Sequence, residues 1–246
     1  MDHDAAVAAV ERELTRFTTA LAAGTPEASV PTCPEFSLDD LAVHVGDLAA
    51  FWAHVLADGA GRAKAEIAPG SAVDPADRVA WLQQGAEMLV TELRATPSDT
   101  EVWTWFPDDQ TARFVARRCA HEFAVHRVDA ELASGGAGPI EPDVAADGIE
   151  EALLFASARV DQDPTLLPEE PGTIHLHGTD HGEAEWLLSL SPDGLTVRRE
   201  HAKGDLALRG TVGDLELLLY QRPPSGTVER FGDEDLLGAF HRVFTF

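Results

Sequence analysis

The sequence predicts an α+β protein, with an antiparallel N-terminal four-helix bundle followed by a small α+β domain. Two observations lead to this fold class. Up to about residue 160, apolar residues recur at steps of three and four, the spacing of helices with one buried face. Beyond Asp163-Pro164 the apolar runs become short and are separated by turn residues such as Pro192-Asp193-Gly194. The prolines after Asp163 indicate a linker, so we predict domains at residues 1–164 and 165–246.

The first part contains five predicted helices with recognisable beginnings or ends. Ser37 precedes the second helix and Asp40 follows three residues later, which is close to a capping box. Pro75 takes the first position of the third helix, and the glycine-rich segment 134–139 ends the fourth. Four of the helices would form the bundle core, and residues 58–74 would form a loop. The predicted helices span residues 4–22, 38–56, 75–95, 111–133 and 144–160.

The second part is predicted to combine short strands, joined by hairpins, with two helices. Turn residues at His181-Gly182 and at 192–194 separate the first three strands. A strongly apolar segment after Thr211 and Asp214 is typical of a helix rather than a strand. The predicted strands span residues 173–177, 184–190, 195–200, 205–209 and 227–231, and the helices 215–220 and 233–243.

Composition limits the partners and the compartment. The formal net charge is −25, which argues against nucleic acid and against anionic membrane surfaces as partners. No apolar run approaches the roughly 20 residues that a membrane-spanning helix needs. Cys33 and Cys119 are the only cysteines and form no C-x-x-C pair, which favours a reducing compartment. We therefore expect a soluble cytoplasmic protein.

The fourth predicted helix carries the most informative chemistry. Glu122 and His126 are four residues apart, so they share one helix face. His44, among apolar residues of the second helix, is the candidate third ligand; its other interpretation is a histidine at the edge of the core that bonds to a carbonyl. Two imidazoles and one carboxylate form a zinc set of the catalytic type, with one position left for water or substrate. Arg118 lies four residues before Glu122, so a plain surface ion pair explains the same spacing, and both interpretations stay open.

Other residues have two interpretations each. Asp129 could orient His126 from behind, or it could be a solvated helix carboxylate. The aromatic segment Trp103–Phe106 could line a pocket or cover the end of the bundle. His175 and His177 alternate on a predicted strand and face one side; they could bind a metal or simply belong to a period-two strand face.

Several segments resemble one known family. Pro31–Ser37, leading into Leu41–Gly46, resembles the second-helix signature of the mycothiol-dependent maleylpyruvate isomerase family. Arg117–Ala130 resembles its fourth-helix signature, and Ile174–Asp180 and Leu217–Arg222 are similar to its second domain. The resemblance spans nearly the whole chain. It implies a DinB-like helical bundle followed by a domain similar to sterol carrier proteins.

The resemblance also implies a site and a chemistry. It implies a divalent metal, usually zinc, held at His44, Glu122 and His126, and mycothiol as the thiol cosubstrate. Arg222 resembles a family arginine that reaches the active site from the second domain, where it could clamp a carboxylate. Its other interpretation is an arginine at a helix end, favoured by the helix dipole. Two positions depart from the family pattern: Phe36 replaces a frequent Trp, and Tyr220-Gln221 replaces a frequent Trp-Gly.

The resemblance leads us to expect a mycothiol-dependent metalloenzyme. A metal-activated thiolate would add to a small electrophile, either for cis–trans isomerisation or for thiol transfer. The same thiolate serves both reactions, so the residues do not choose between isomerase and S-transferase, nor do they name the electrophile. The alternative is a non-catalytic protein that binds a metal or a small ligand on the same scaffold. A third hypothesis is a structural bundle in which Glu122 and His126 are only a salt-bridged surface.

Overall fold

The first part of the chain is a helical bundle, as predicted. A computed structural model describes residues 1–58 and 69–245. Residues 59–68 of the predicted loop lie outside the described residues. Short 3₁₀ turns at Gly70–Ala72 and Pro75–Asp77 precede the third helix. The four helices are α1 (His3–Ala23), α2 (Leu38–Asp58), α3 (Arg78–Ala95) and α4 (Ala112–Ala133).

Side-chain caps explain where three of these helices begin. The Asp2 carboxylate accepts a hydrogen bond from the Ala5 amide at the start of α1, and the Thr111 hydroxyl accepts one from the Phe114 amide at the start of α4. At the start of α2 the predicted capping box is present. The Ser37 hydroxyl accepts from the Asp40 amide, and the Asp40 carboxylate accepts from both the amide and the hydroxyl of Ser37. The bonds from Ser37 hold the pKa of Asp40 below its usual value.

Helices α1 and α4 pack side by side and run in the same direction. Arg16 lies 3.2 Å from Glu131, and one turn further along both helices the Ser134 hydroxyl donates to the carbonyl of Ala20. The sequence predicts antiparallel neighbours, and this pair is not antiparallel. The reason is that short loops force antiparallel neighbours, whereas α1 and α4 are separated by two other helices along the chain.

The remaining helix pairs complete the arrangement. His3, at the start of α1, contacts the carbonyl of Leu93 near the end of α3, so α1 and α3 are antiparallel. Asp39 at the start of α2 forms an ion pair with Arg78 at the start of α3, so α2 and α3 run in the same direction. The long connection between α2 and α3 permits this, because it gives the chain enough residues to return along the length of a helix.

The second part of the chain combines a five-stranded mixed sheet with helices, which confirms the predicted α+β class. The strand order is β3-β2-β1-β4-β5. The β1–β2 and β2–β3 pairs are the predicted hairpins, and β4 crosses over to pair with β1 in parallel. The elements are α5 (Pro142–Gln162), β1 (Gly172–Gly178), β2 (Glu185–Ser191), β3 (Gly194–Arg198), β4 (Leu206–Gly210), α6 (Val212–Leu219), β5 (Glu229–Gly232) and α7 (Asp235–Val243).

The chain divides into two compact units, Met1–Gly138 and Pro139–Phe246. The division lies before α5, whereas we predict the boundary after it, at 164/165. Helix α5 packs against α6 and β3, and its Glu150 accepts a hydrogen bond of 2.6 Å from the indole of Trp186 on β2. The periodicity of α5 shows that one face is buried, but not which core that face joins.

Both units bury an apolar core. In the first unit, Phe17, Leu41 and Phe123 are almost fully buried between the helices. In the second unit, Ile174 and Trp186 are buried on one face of the sheet. Among residues 1–58 and 69–245, no helix combines the length and the apolar character that crossing a bilayer requires.

Candidate metal centre

Helices α2 and α4 bring the three predicted ligands of the first unit together. His126 is buried on α4, one turn after Glu122. His44 of α2 approaches it edge-on, with 4.9 Å between the two ring centroids. Glu122 is close enough to His44 for its charge to act on that imidazole. The structure therefore brings both His44 and Glu122 beside His126.

The two nitrogens of His126 have different partners. Nδ1 lies 3.0 Å from an oxygen of Asp129, and Nε2 lies 3.4 Å from an oxygen of Glu122. Two ligands bonded at about 2.0–2.1 Å to a tetrahedral zinc ion are separated by roughly 3.3–3.4 Å. The atoms of His126 and Glu122 therefore fit neighbouring positions around such an ion. A carboxylate on the far nitrogen is the usual support of a metal-binding histidine.

Asp129 is itself held in place from a distant segment. It is fully buried, and it accepts a 2.5 Å hydrogen bond from the Thr32 hydroxyl. The Cys33 thiol lies 3.8 Å from its other oxygen. Asp129 is thus a buried orienting group and not a solvated carboxylate. No local pattern in the sequence connects Asp129 with Thr32, although Thr32 and Cys33 both lie in the segment that resembles the family signature.

Glu122 also takes part in the ion pair that the sequence offered as an alternative. Arg118 lies 2.7 Å from one Glu122 oxygen, but the Arg118 side chain is only 3% exposed, so this is not a surface pair. The other Glu122 oxygen faces His126. Burial acts to raise the pKa of Glu122, but the Arg118 guanidinium and the His126 imidazole outweigh it and hold that pKa far below its usual range. Glu122 is therefore an anion with one oxygen directed at the cluster.

The two imidazoles differ in charge. Burial, and then the neighbouring His126, lower the pKa of His44, although nearby carboxylates act against this. His44 is therefore neutral at pH 7, as a metal ligand must be. For His126 burial acts to lower the pKa, but its bonds to Asp129 and Glu122 outweigh burial and raise the pKa to about 9. His126 is therefore protonated at pH 7, and a cation that binds its Nε2 must displace the proton on that nitrogen.

The aromatic segment before α4 packs against the bundle. Trp103 stacks on Trp52 of α2 at 6.4 Å and meets Phe51 edge-on. Phe106 stacks on Phe114 at 5.7 Å, while Trp105 remains 44% exposed. These contacts favour the interpretation that the segment covers the bundle.

Two further residues of interest, Cys119 and Arg222, belong to different units of the chain. Cys119 is fully buried on α4. Arg222 belongs to the second unit, where it follows α6 and donates a 2.8 Å hydrogen bond to the carbonyl of Tyr220. Its backbone amide also closes the end of α6 by bonding to the carbonyl of Leu217. Arg222 is half-buried, and its position at a helix end fits the interpretation that it stabilises that end. Its contact with a substrate stays a prediction.

Two family models match the chain. Residues 7–131 match the Mycothiol maleylpyruvate isomerase N-terminal domain. Residues 143–239 match the MDMPI C-terminal domain, in which MDMPI abbreviates that isomerase. The second match begins within the first turn of α5, in agreement with the division of the chain at Gly138/Pro139. No curated protein sequence matches the chain.

Proposed function

Because the chain belongs to the mycothiol maleylpyruvate isomerase family, we propose that it is a mycothiol-dependent metalloenzyme acting on a small electrophile. One observation carries the proposal more than any other. His126 directs one nitrogen at Asp129 and the other at Glu122, with the ring of His44 against it. This arrangement of two imidazoles and one carboxylate is suited to a catalytic zinc ion, which keeps a coordination position for a substrate.

The three ligands would have distinct tasks. Neutral His44 and His126 would each donate a nitrogen, and Glu122 would donate its oxygen that faces His126. A divalent cation in this cluster lowers the pKa of a thiol that coordinates it. Asp129 would fix the tautomer of His126, and Arg118 would keep Glu122 ionised and in place. All ligands are provided by α2 and α4, so the packing of these two helices would decide the geometry.

The only reactants of the proposed reaction are the thiol and an electrophile. With a cis-enoyl diacid, addition of the mycothiol thiolate makes the central carbon–carbon bond single. That bond rotates, the thiolate leaves again, and the trans isomer and the thiol are recovered. With an electrophile that carries a leaving group, the same addition ends in thiol transfer. We propose that Arg222 binds a carboxylate of the substrate, since its planar guanidinium suits bidentate binding.

The first test compares metal content and turnover in variants of untagged protein. We expect His126→Ala to lose about one zinc ion per chain. We also expect this variant to lose the mycothiol-dependent turnover of cis-enoyl diacids. His54→Ala is the matched control, because His54 also lies on the bundle, beside Asp58 at 3.5 Å, but away from the cluster. This control should keep both metal and activity.

Two results would overturn the proposal. Full activity of metal-free wild-type protein would remove the metal from the mechanism. Tight mycothiol binding without consumption of any electrophile, over a panel of cis-enoyl diacids and electrophiles with leaving groups, would favour the non-catalytic binding protein. Product analysis by NMR separates isomerisation from transfer, because only transfer leaves the thiol sulfur bonded to a carbon of the electrophile.

A further inference from the structure

The second unit contains another group of histidines, on a face of its sheet. Glu185 of β2 lies directly opposite His177 of β1 in the antiparallel register, and His175 is two residues before His177 on the same face. The opposite face carries the buried residues Ile174 and Trp186. The sheet thus separates its apolar core from a face on which two imidazoles and a carboxylate meet.

Glu185 is in contact with both histidines. One of its oxygens lies 2.6 Å from Nε2 of His175, and the other lies 2.6 Å from Nδ1 of His177. His175 is buried, and His177 and Glu185 are half-buried. A strand face with period-two spacing accounts for the alternation of the two histidines. It does not account for their convergence on one carboxylate.

A third histidine joins them from the segment between β3 and β4. Nδ1 of His201 lies 3.0 Å from Glu185, and its ring meets that of His175 edge-on at 5.1 Å. Gly204 allows this segment to lie against β1, because a Cβ at that position would be 2.8 Å from the His175 amide nitrogen. The side chain of His201 is 74% exposed, so the cluster can be reached from solvent.

We propose that His175, His177, Glu185 and His201 form a second metal site, which binds a divalent cation of the zinc type. One ligand atom from each residue lies within 4.8 Å of all the others. Three imidazoles and one carboxylate are a complete tetrahedral set for zinc, whereas calcium and magnesium prefer sites made of oxygen atoms. The bound cation would tie the segment around His201 to β1 and β2, and would thereby stabilise the folded second unit.

The test uses untagged, metal-stripped protein that carries His126→Ala, so that the candidate centre of the bundle does not contribute. Zinc is added, and stoichiometry is measured by native mass spectrometry and affinity by calorimetry. We expect one zinc ion per chain in this background. Adding His201→Ala should weaken binding by at least about 100-fold, since loss of an outer-shell partner alone costs 10–100-fold. Excess magnesium should not compete.

Two further variants keep the result decisive. Glu185→Gln preserves the shape of the side chain and should weaken zinc binding as His201→Ala does. His181→Ala is the matched control: His181 lies in the turn between β1 and β2, beside Asp143 and outside the cluster, and its loss should change nothing. Added zinc should raise the unfolding temperature of the control but not that of His201→Ala.

The proposal is overturned if the His126→Ala protein binds no zinc, or binds it equally well with and without His201. This outcome is independent of the bundle centre. In wild-type protein, a single zinc ion that is lost with His201→Ala and kept with His126→Ala would support the second site and contradict the proposed function. Two zinc ions, one lost with each variant, would support both.

Discussion

The part of the chain that the structure describes contains two groups of histidines and carboxylates, and they are built in different ways. In the bundle, His126 is oriented by Asp129, and Asp129 is fixed by Thr32 from a segment 97 residues away in the sequence. On the sheet, His175 and His177 meet Glu185 across adjacent strands of one hairpin. The first group depends on long-range packing of helices, and the second mostly on local strand register.

This difference determines how well the side chains of each group are oriented in the absence of a cation. Partners outside the bundle cluster fix one nitrogen of His126 and one oxygen of Glu122, so the remaining atoms are already directed. In the sheet cluster the described bonds of Glu185 run to the histidines themselves, and His201 is mostly exposed. A directed site suits catalysis, whereas ligands that a cation must gather suit structural stabilisation.

The largest effect should follow from removing the orientation of His126. We expect Asp129→Asn to weaken zinc binding at the bundle about 10–100-fold, because the amide no longer anchors the Nδ1 proton as a carboxylate does. Calorimetric titration in a His201→Ala background isolates this site. Turnover at saturating zinc should fall as well, since the imidazole would be less well directed.

Asp58→Asn is the control for that substitution. Asp58 also lies beside a histidine of the bundle, His54, but outside the cluster. Zinc affinity should be unchanged in this variant. If Asp129→Asn bound zinc as tightly as the control does, the bond to His126 would be incidental, and the contrast between the two clusters would disappear.

The sequence predicted the elements better than the contacts between them. Helix α4 follows from its periodicity and from the glycine-rich segment 134–139 that ends it, and Glu122 and His126 share a face by spacing alone. Their meeting with His44 required the resemblance to a family in addition. The bond from Thr32 to Asp129 follows from neither, because local patterns carry no information on which loop reaches a buried carboxylate.

The same limit explains the second unit. The strands and both short helices were predicted closely, and the facing of His175 and His177 follows from the period of a strand. His201 could not be assigned to them, because an exposed residue between strands has no periodic pattern. Helix α5 does have a periodic pattern, but that pattern does not say whether its buried face joins the bundle or the sheet, and the predicted boundary at 164/165 therefore places it in the first domain.

An intermediate effect should come from the packing that positions α2. Gly46 lies two residues after His44 on α2. A Cβ added at Gly46 would overlap the indole of Trp81 on α3. Overpacking of this kind costs about 1–3 kcal/mol. Alanine in a helix gains only about 0.5–1 kcal/mol over glycine. We therefore expect Gly46→Ala to lower the free energy of unfolding and to weaken zinc binding at the bundle, as measured by urea denaturation and calorimetry.

Gly238 offers the opposite case within a helix of the second unit. A Cβ at Gly238 in α7 would meet nothing within 4 Å. Gly238→Ala should therefore stabilise the protein by about 0.5–1 kcal/mol, from helix preference alone. If both substitutions stabilised the protein, the contact of Gly46 with Trp81 would not be what keeps α2 and α3 close.

An effect of similarly small size should come from the end of α6, where the chain departs from the family pattern. Gln221 has φ 60°, the left-handed region, and its amide and that of Arg222 bond to the carbonyls of Leu218 and Leu217. These are the two bonds of a Schellman motif, in which glycine is the usual residue at the left-handed position. Gln221→Gly should therefore stabilise the second unit by about 1 kcal/mol, because glycine adopts this conformation without a steric cost.

Hydrogen exchange of the β1 and β2 amides measures the change in that unit. Gln221→Ala should have no such effect, since alanine carries the same Cβ. Zinc binding at the bundle should stay the same in both variants, and a change there would show that the end of α6 influences a site formed by α2 and α4.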